Sequence, residues 1–340
     1  MIMTDELKEY IRSNINIYSL EELCMSVNEI GPYVGGVAFG APISVSRFRY
    51  YLGMSARRCS YRQFHIPKKA GGPRTITAPD GELKDILRTL AYILSELYVP
   101  NNEAMAFVGG RSIVDNARQH TGQNYVLNLD LKDFFTSITA AMVEKGLVSI
   151  GVAPLVARDI STICTYPLYE DRRIHNVLPQ GAPTSPVLSN ICAMTLDVRL
   201  SGLARRFHLT YTRYADDITF SSNHNVYQPD GEFFKELYSI IEECHFSVNA
   251  KKTRLQKKGS RQEVTGLTVV EKLNVSRRYL KNLRAAIHKI HLTEQPAMHD
   301  INIARGKLNF LRMVKGENDP TYRKLLIKLN IATRGKKFMA

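Results

Sequence analysis

The chain has 340 residues, 44% of them apolar, and a formal charge of +14, which is length and apolar content enough for one large or two medium domains with a buried core. The charge is lopsided: residues 251–340 carry 22 Lys or Arg against 6 Asp or Glu, whereas the first 250 carry 24 against 26. Five widely spaced cysteines, Cys24, Cys59, Cys164, Cys192 and Cys244, form no CxxC pair, which argues for a reducing compartment and against a zinc site or disulfide framework.

The first sixty residues read as mostly helical, with amphipathic spacing in ELKEYI and SLEELCMSV and a Gly-rich break at GPYVGG. The opening MIMTDELKEYIRS is polar and mixed in charge, so no signal peptide is expected. The stretch GGVAFGAPISV is too short and too rich in Gly and Pro to span a bilayer, and the protein is expected to be cytoplasmic. A hairpin follows, YRQFHIPKK and RTITAP around the turn Ala70–Pro73, with a basic tip. The helix GELKDILRTLAYILSELY is stopped by Pro100. In SIVDNARQH, Asn116 and His120 share one helical face four residues apart, and without a second His or Cys at metal spacing His120 is expected to make structural hydrogen bonds.

The run YVLNLDLKDFF alternates as a strand, placing Val126, Asn128 and Asp130 on one face and Leu127, Leu129 and Leu131 on the other. Asp133 is read as a helix start. The loop LPQGAPTSP leads into a long helix that Ser185 can cap and whose first turn suits Pro186. YTRYADDITFSS reads as a hairpin with two acids at its turn. A helix over GEFFKELYSIIEEC, a hairpin around VTGLTVVEKLNVS and a final helical bundle complete the chain. Segments such as RRYLKNLRAAIHKIHL mix basic and apolar residues at helical spacing, so the C-terminal charge is a folded surface. A phosphate backbone is its natural counter-ion, with a merely solvated face or a membrane surface as the alternatives.

Most Asp-Asp pairs are solvated turns. Here Asp216 and Asp217 have the company of Asp130 at a strand end, expected to meet Asp216 across a sheet, and adjacent carboxylates repel unless a cation is held between them. Three acids on two adjacent strands suit two Mg²⁺ ions at the separation used for in-line nucleotidyl transfer.

The order of these pieces, strand-Asp-helix, LPQGAPTSP, YADD, a lysine-bearing strand and a short hairpin, resembles the reverse transcriptase family from Tyr61 to Ala340. The retron branch fits best, since NARQH at 116–120 and VTG at 264–266 match its marks. The resemblance implies an α+β right-hand polymerase fold: an N-terminal helical extension (1–60), fingers (61–125), a palm of antiparallel sheet packed on helices (126–276, with finger insertions around 140–180) and a basic helical thumb (277–340). It implies catalysis by Asp130, Asp216 and Asp217, which with Leu131 would hold the two Mg²⁺ ions. Lys68, Lys69, Arg74, Phe135 as steric gate, Gln180, Gly181 and Lys252 would bind the dNTP, with Gly181 letting backbone approach the substrate. Asn116, His120, Arg277, Arg278, Lys281 and Arg284 would contact RNA. The implied partner is a structured noncoding RNA, template and primer for a branched RNA–DNA product, with a separate effector protein in anti-phage defence, no membrane, and template removal left to another protein. A group II intron or diversity-generating enzyme, or an RNA-binding scaffold with a vestigial polymerase fold, are the rival readings.

Overall fold

The computed structural model describes residues 5–15, 17–37, 39–67, 71–334 and 336. Four helices open the chain: α1 (Asp5–Asn14), α2 (Leu20–Ile30), α3 (Val45–Leu52) and α4 (Met54–Cys59). A reciprocal capping box starts α2, in which Ser19 accepts from the Glu22 amide while the Glu22 carboxylate takes the Ser19 amide. The hairpin β1 (Tyr61–Pro67) and β2 (Pro73–Pro79) pairs from Tyr61↔Pro79 to Pro67↔Pro73. Next, α5 (Gly81–Leu97) ends before Pro100, its chain turning extended at Tyr98. Its apolar residues Leu83, Ile86, Leu87, Leu90, Ile93 and Leu94 fall on one stripe, and the N-terminal Ile11, Leu23, Val27 and Phe48 share a core with them. The extension is thus part of the main body.

A second capping box, Ser112 with Asp115, starts the short α6 (Ile113–Arg118), which precedes β3 (Tyr125–Asp130). Helices α7 (Phe134–Ser137), α8 (Ala140–Ser149) and α9 (Pro154–Cys164) and a hairpin of β4 (Tyr166–Glu170) and β5 (Arg173–Val177) lead to the LPQG loop. The long helix expected there is two, α10 (Ser185–Cys192) and α11 (Met194–Arg206), meeting at 50°. The bend lets α10 pack on α5 and α8 while α11 packs on β6 (Thr210–Tyr214) and, after β7 (Asp217–Ser222), on α12 (Glu232–Glu243). Ser185 is also not the cap. It is the first helical residue, and its hydroxyl donates to the Pro179 carbonyl at 2.6 Å, closing the loop on itself. No single described helix is long and apolar enough to cross a membrane.

The central sheet is antiparallel, in the order β6-β7-β3-β8, with β8 at Arg254–Lys257. Its period-two alternation sorts residues as the sequence pattern predicts. Leu127, Leu129, Ile218, Phe220 and Tyr211 face the main core. Asn128, Asp130, Asp217, Thr219, Ser221 and Thr212 face the other way, as the register pairs Asp130↔Asp217, Asn128↔Thr219 and Thr212↔Thr219 require.

A second core is built from the hairpin β9 (Glu263–Val264) and β10 (Leu267–Thr268) and three helices, α13 (Arg277–Leu292), α14 (Met298–Lys315) and α15 (Pro320–Thr333). Caps at Ser276 and Asp319 start α13 and α15. Val264, Leu267, Leu283, Ile287, Leu308 and Leu325 fill this core, and Val114, Ala117 and Val126 join it. Through α6 the C-terminal bundle therefore reaches the polar face of the central sheet.

Candidate active site

Antiparallel pairing sets Asp130, the last residue of β3, opposite Asp217, the first of β7. Asp216 occupies the two-residue turn between β6 and β7. Only Ala215 there has positive φ, 57°, the pattern of a type II′ turn that matches strand twist. The partner of Asp130 across the sheet is thus Asp217, not Asp216 as expected. Alternation explains the difference, since the acid that pairs must be in the strand and the other must cap the turn. Asp216 is tied in by its carbonyl, which accepts from the Leu131 amide at 2.9 Å.

The three carboxyls act on one another. Burial, then Asp216 and Asp130, push the Asp217 carboxyl up to about 6. Burial also raises Asp216, with Asp130 adding to it while Lys252 and Arg74 pull it down. The Lys252 ammonium lies 2.6 Å from Asp130 Oδ1, which raises its pKa, and the Asn249 side chain donates to Asp130 Oδ2 at 3.3 Å. Of the lysine pair at 251 and 252, it is Lys252 that meets the acids.

The donor set fits a hard divalent cation: Asp217 lies near enough to Asp216 and Asp130 for their charges to raise its pKa, and the Lys252 ammonium supplies part of the positive charge that such a cluster calls for. Among the described residues no three His, Cys, Asp or Glu side chains form a group that could hold a metal ion by themselves. A Mg²⁺ ion at these carboxylates would therefore need waters and substrate phosphates to complete its shell, as Mg²⁺ sites commonly do. A groove of about 400 Å³ runs from Asp130, Asp217 and Lys252 past Asn128 to Thr265 and Gly266.

On the other side of Asp130, Phe134 is core and Phe135 is half-buried, its ring 6.3 Å from that of Phe107. Phe107 is 46% exposed and holds φ 60°, unusual for an aromatic residue. Sequence pattern gives no sign of its role, as nothing in AMAFVGG marks the ring as close to Phe135. The Gln180 carbonyl accepts from the Thr77 amide at 2.9 Å, docking the LPQG loop onto β2. Gly181 has φ 137°, and a Cβ there would stand 2.9 Å from the Thr77 carbonyl and 2.8 Å from Ile76 Cγ2. The room that Gly181 leaves is therefore taken by the first hairpin, where substrate was expected. Arg74 is exposed on β2, its charge felt at Asp216. Lys68 and Lys69 lie outside the described residues.

Asn116 and His120 do not reach a surface where RNA could touch them. Asn116 is 1% exposed and His120 0%. The His120 ring sits between Ser221 and Thr212, with Nδ1 and Nε2 each 2.7 Å from a hydroxyl, and burial drives its pKa down to about 3. The Asn116 side chain donates to the Thr265 hydroxyl at 3.5 Å, and that hydroxyl donates to the Ile113 carbonyl at 3.3 Å. NARQH and VTG, distant in sequence, thus form one contact. The Thr265–Gly266 turn has φ of 47° and 79°, a type I′ geometry that a β-branched residue adopts only under strain. Asp133 does precede α7, in the left-handed region and without a side-chain cap bond. Arg277, Arg278, Lys281 and Arg284 are all exposed on α13.

A polymerase palm of this kind defines a nucleotidyltransferase, and the family described as reverse transcriptase (RNA-dependent DNA polymerase) matches residues 66–270. The chain belongs to that family. Its relatives place it in the retron branch: it is 38% identical to the retron Mx65 reverse transcriptase of Myxococcus xanthus, over 83% of this chain and 68% of that one. Against the retron Ec86 reverse transcriptase of Escherichia coli the identity is 35%, over 81% and 82%. The retron Mx162 enzyme of Myxococcus xanthus is 36% identical, over 72% of this chain and 56% of that one. Among solved structures, telomerase from Candida albicans with a telomeric RNA fragment matches with a TM-score of 0.44 and 12% identity, over 80% of this chain and 59% of that one.

Proposed function

We propose that this reverse transcriptase copies a cognate structured noncoding RNA into branched, multicopy single-stranded DNA, and that Asp130, Asp216 and Asp217 carry the chemistry. The observation behind this reading is the register that sets Asp130 opposite Asp217 with Asp216 in the adjoining turn. Two divalent ions held there, with Leu131 beside Asp130, would activate the priming hydroxyl and stabilise the leaving pyrophosphate. Lys252, already on Asp130 and with its pKa raised, is protonated at neutral pH and placed to give a proton or a charge to the leaving group. Phe135 closes the sugar side and Arg74 faces the triphosphate, a contact that the family resemblance also assigns to Lys68 and Lys69.

The exposed Arg277, Arg278, Lys281 and Arg284 of α13 meet RNA phosphates, where arginine forks and lysine point charges read shape more than sequence. Between α13 and α15 a groove of about 490 Å³ adds His288, His291, Lys324 and Lys328 to that surface. Binding there weakens steeply with salt. A separate effector protein and a role in anti-phage defence complete the reading. Purifying the chain from its native host, with and without Asp216→Asn, and sequencing the bound nucleic acid tests it. Branched single-stranded DNA lost in the variant is the expected result; RNA bound equally by both, with no DNA, would favour a scaffold.

A further inference from the structure

On the sheet face opposite the carboxylates, among core residues such as Tyr211, Ile218 and Phe220, stands a guanidinium that the chemistry above does not use. Arg213 is 0% exposed. Its Nε and Nη2 donate to the two oxygens of Asp197 on α11, each at 2.7 Å. Nη1 and Nη2 both donate to Asn190 Oδ1 at 3.2 Å, and Nη1 also donates to the Ala215 carbonyl at 3.1 Å. Tyr211 adds a hydroxyl on Asp197 at 2.8 Å. All the N–H donors of the fork are used.

A buried ion pair is seldom retained for stability alone, because desolvation offsets its attraction and an apolar replacement is often as stable. The informative donor is the one that leaves the pair. Ala215 holds a positive φ of 57°, a strained backbone that only surrounding contacts can hold in place. Its carbonyl is fixed by Arg213, and the next two residues are Asp216 and Asp217. The second arm of the network is Asn190, whose Nδ2 donates to the Ala106 carbonyl at 2.8 Å, one residue before Phe107. Backbone bonds of Arg213 to Glu103 and Met105, both 2.8 Å, clamp the same loop to β6.

We propose that Arg213 is a positioning residue for the metal turn: its Asp197-locked fork sets the Ala215 carbonyl, hence the two acids, and through Asn190 joins that turn to the loop bearing Phe107. The inference rests on the assignment of Asp130, Asp216 and Asp217 as the metal-holding set. Arg213→Lys keeps a charge for Asp197 but loses the fork. The triple change Arg213→Met, Asp197→Leu, Tyr211→Phe removes the charges together, so that no ion is left buried alone.

The test is extension of a DNA primer on an RNA template by the full chain, titrated with Mg²⁺ and, at saturating Mg²⁺, with dNTP, together with the Mg²⁺ concentration that half-saturates the rise in melting temperature of the full chain without substrate. In both variants the half-saturating Mg²⁺ concentration is expected to rise about tenfold, a shift of about 1.4 kcal/mol, while the dNTP KM changes less than twofold. The triple variant melts within a few degrees of the parent, which separates positioning from folding if Arg213→Lys is unstable. A folded variant with the parent's Mg²⁺ requirement overturns the inference. Asp216→Asn serves as control. If it is inactive, the Mg²⁺ titrations bear on Arg213 alone; if it is active, the site assignment and the inference fall together.

Discussion

Two ends of one sheet face carry polar side chains and do opposite things with them. At the open end, Asp130 and Asp217 lie beside the Asp216 turn, with the Lys252 and Asn249 side chains on Asp130 among the described residues, and burial, then the neighbouring carboxyls, push Asp217 up to about 6. At the closed end, on the same face of the same sheet, His120 fills the space over Thr212 and Ser221, with both ring nitrogens bonded. What separates the two ends is the cover, not the residue type. Helix α6 and the β9–β10 hairpin lie over one end, and nothing described lies over the carboxylates but a groove. Polar groups that are covered and satisfied rigidify a fold, whereas polar groups left mutually repelling are waiting for a ligand.

The comparison breaks most readily at Asp217. Asp217→Asn is expected to lower primer extension at least about a thousandfold, because the ions that would stabilise the developing charge lose a carboxylate ligand, and to raise the melting temperature of metal-free protein, because one of the repelling carboxylates is gone. A variant that loses activity and melts lower would show that the open end is structural after all. Phe135→Ala comes next. Ribonucleotide incorporation relative to deoxyribonucleotide is expected to rise by about two orders of magnitude, the effect of removing a ring proposed to exclude the 2′-hydroxyl, and Phe107→Ala to shift the same ratio less. Unchanged sugar discrimination in Phe135→Ala counts against the gate. Lys252→Met is expected to lower kcat about a hundred- to ten-thousandfold, the range for one general acid, with little change in the dNTP KM. A KM effect alone would make Lys252 a binding residue.

Much of the open end is legible in the sequence itself. Strict alternation in YVLNLDL sorts Asp130 from the leucines, and the β-branched flanks of YADD announce its hairpin. Register is not legible: whether Asp216 or Asp217 faces Asp130 depends on which residues the turn consumes, and a one-residue change exchanges them. Gly181 shows its need for freedom but not the hairpin that uses it, because Thr77 and Ile76 come from a separate strand. Arg213 reads as a strand residue beside YADD, with no local sign that Asp197, on a helix, would lock it. Asn116 and His120 carry the resemblance to the retron branch read from the sequence, yet their partners Thr265, Thr212 and Ser221 lie about 90 to 150 residues away, so covering could not be told from contact with RNA.

His120 supplies the finest test of the closed end. Burial holds its pKa at about 3, below the ordinary 6.5, so the native ring stays neutral while the unfolded chain takes up a proton as pH falls through 6.5. The ring's contribution to stability is therefore complete above pH 6.5 and drains away as pH falls toward 3, by about 2 kcal/mol between pH 8 and pH 5. Asp217, raised to about 6, works in the other direction, gaining stability as pH falls through 6, but it does so equally in parent and variant. In His120→Gln, which keeps a donor and an acceptor without titrating, urea unfolding at the two pH values should show the loss reduced by that amount. Primer extension at pH 7.5 should stay within about twofold of the parent, and RNA affinity should not move. A His120→Gln protein with unaltered pH dependence and weakened RNA binding would mean that the ring reaches the RNA, and that the cover over this end of the sheet opens.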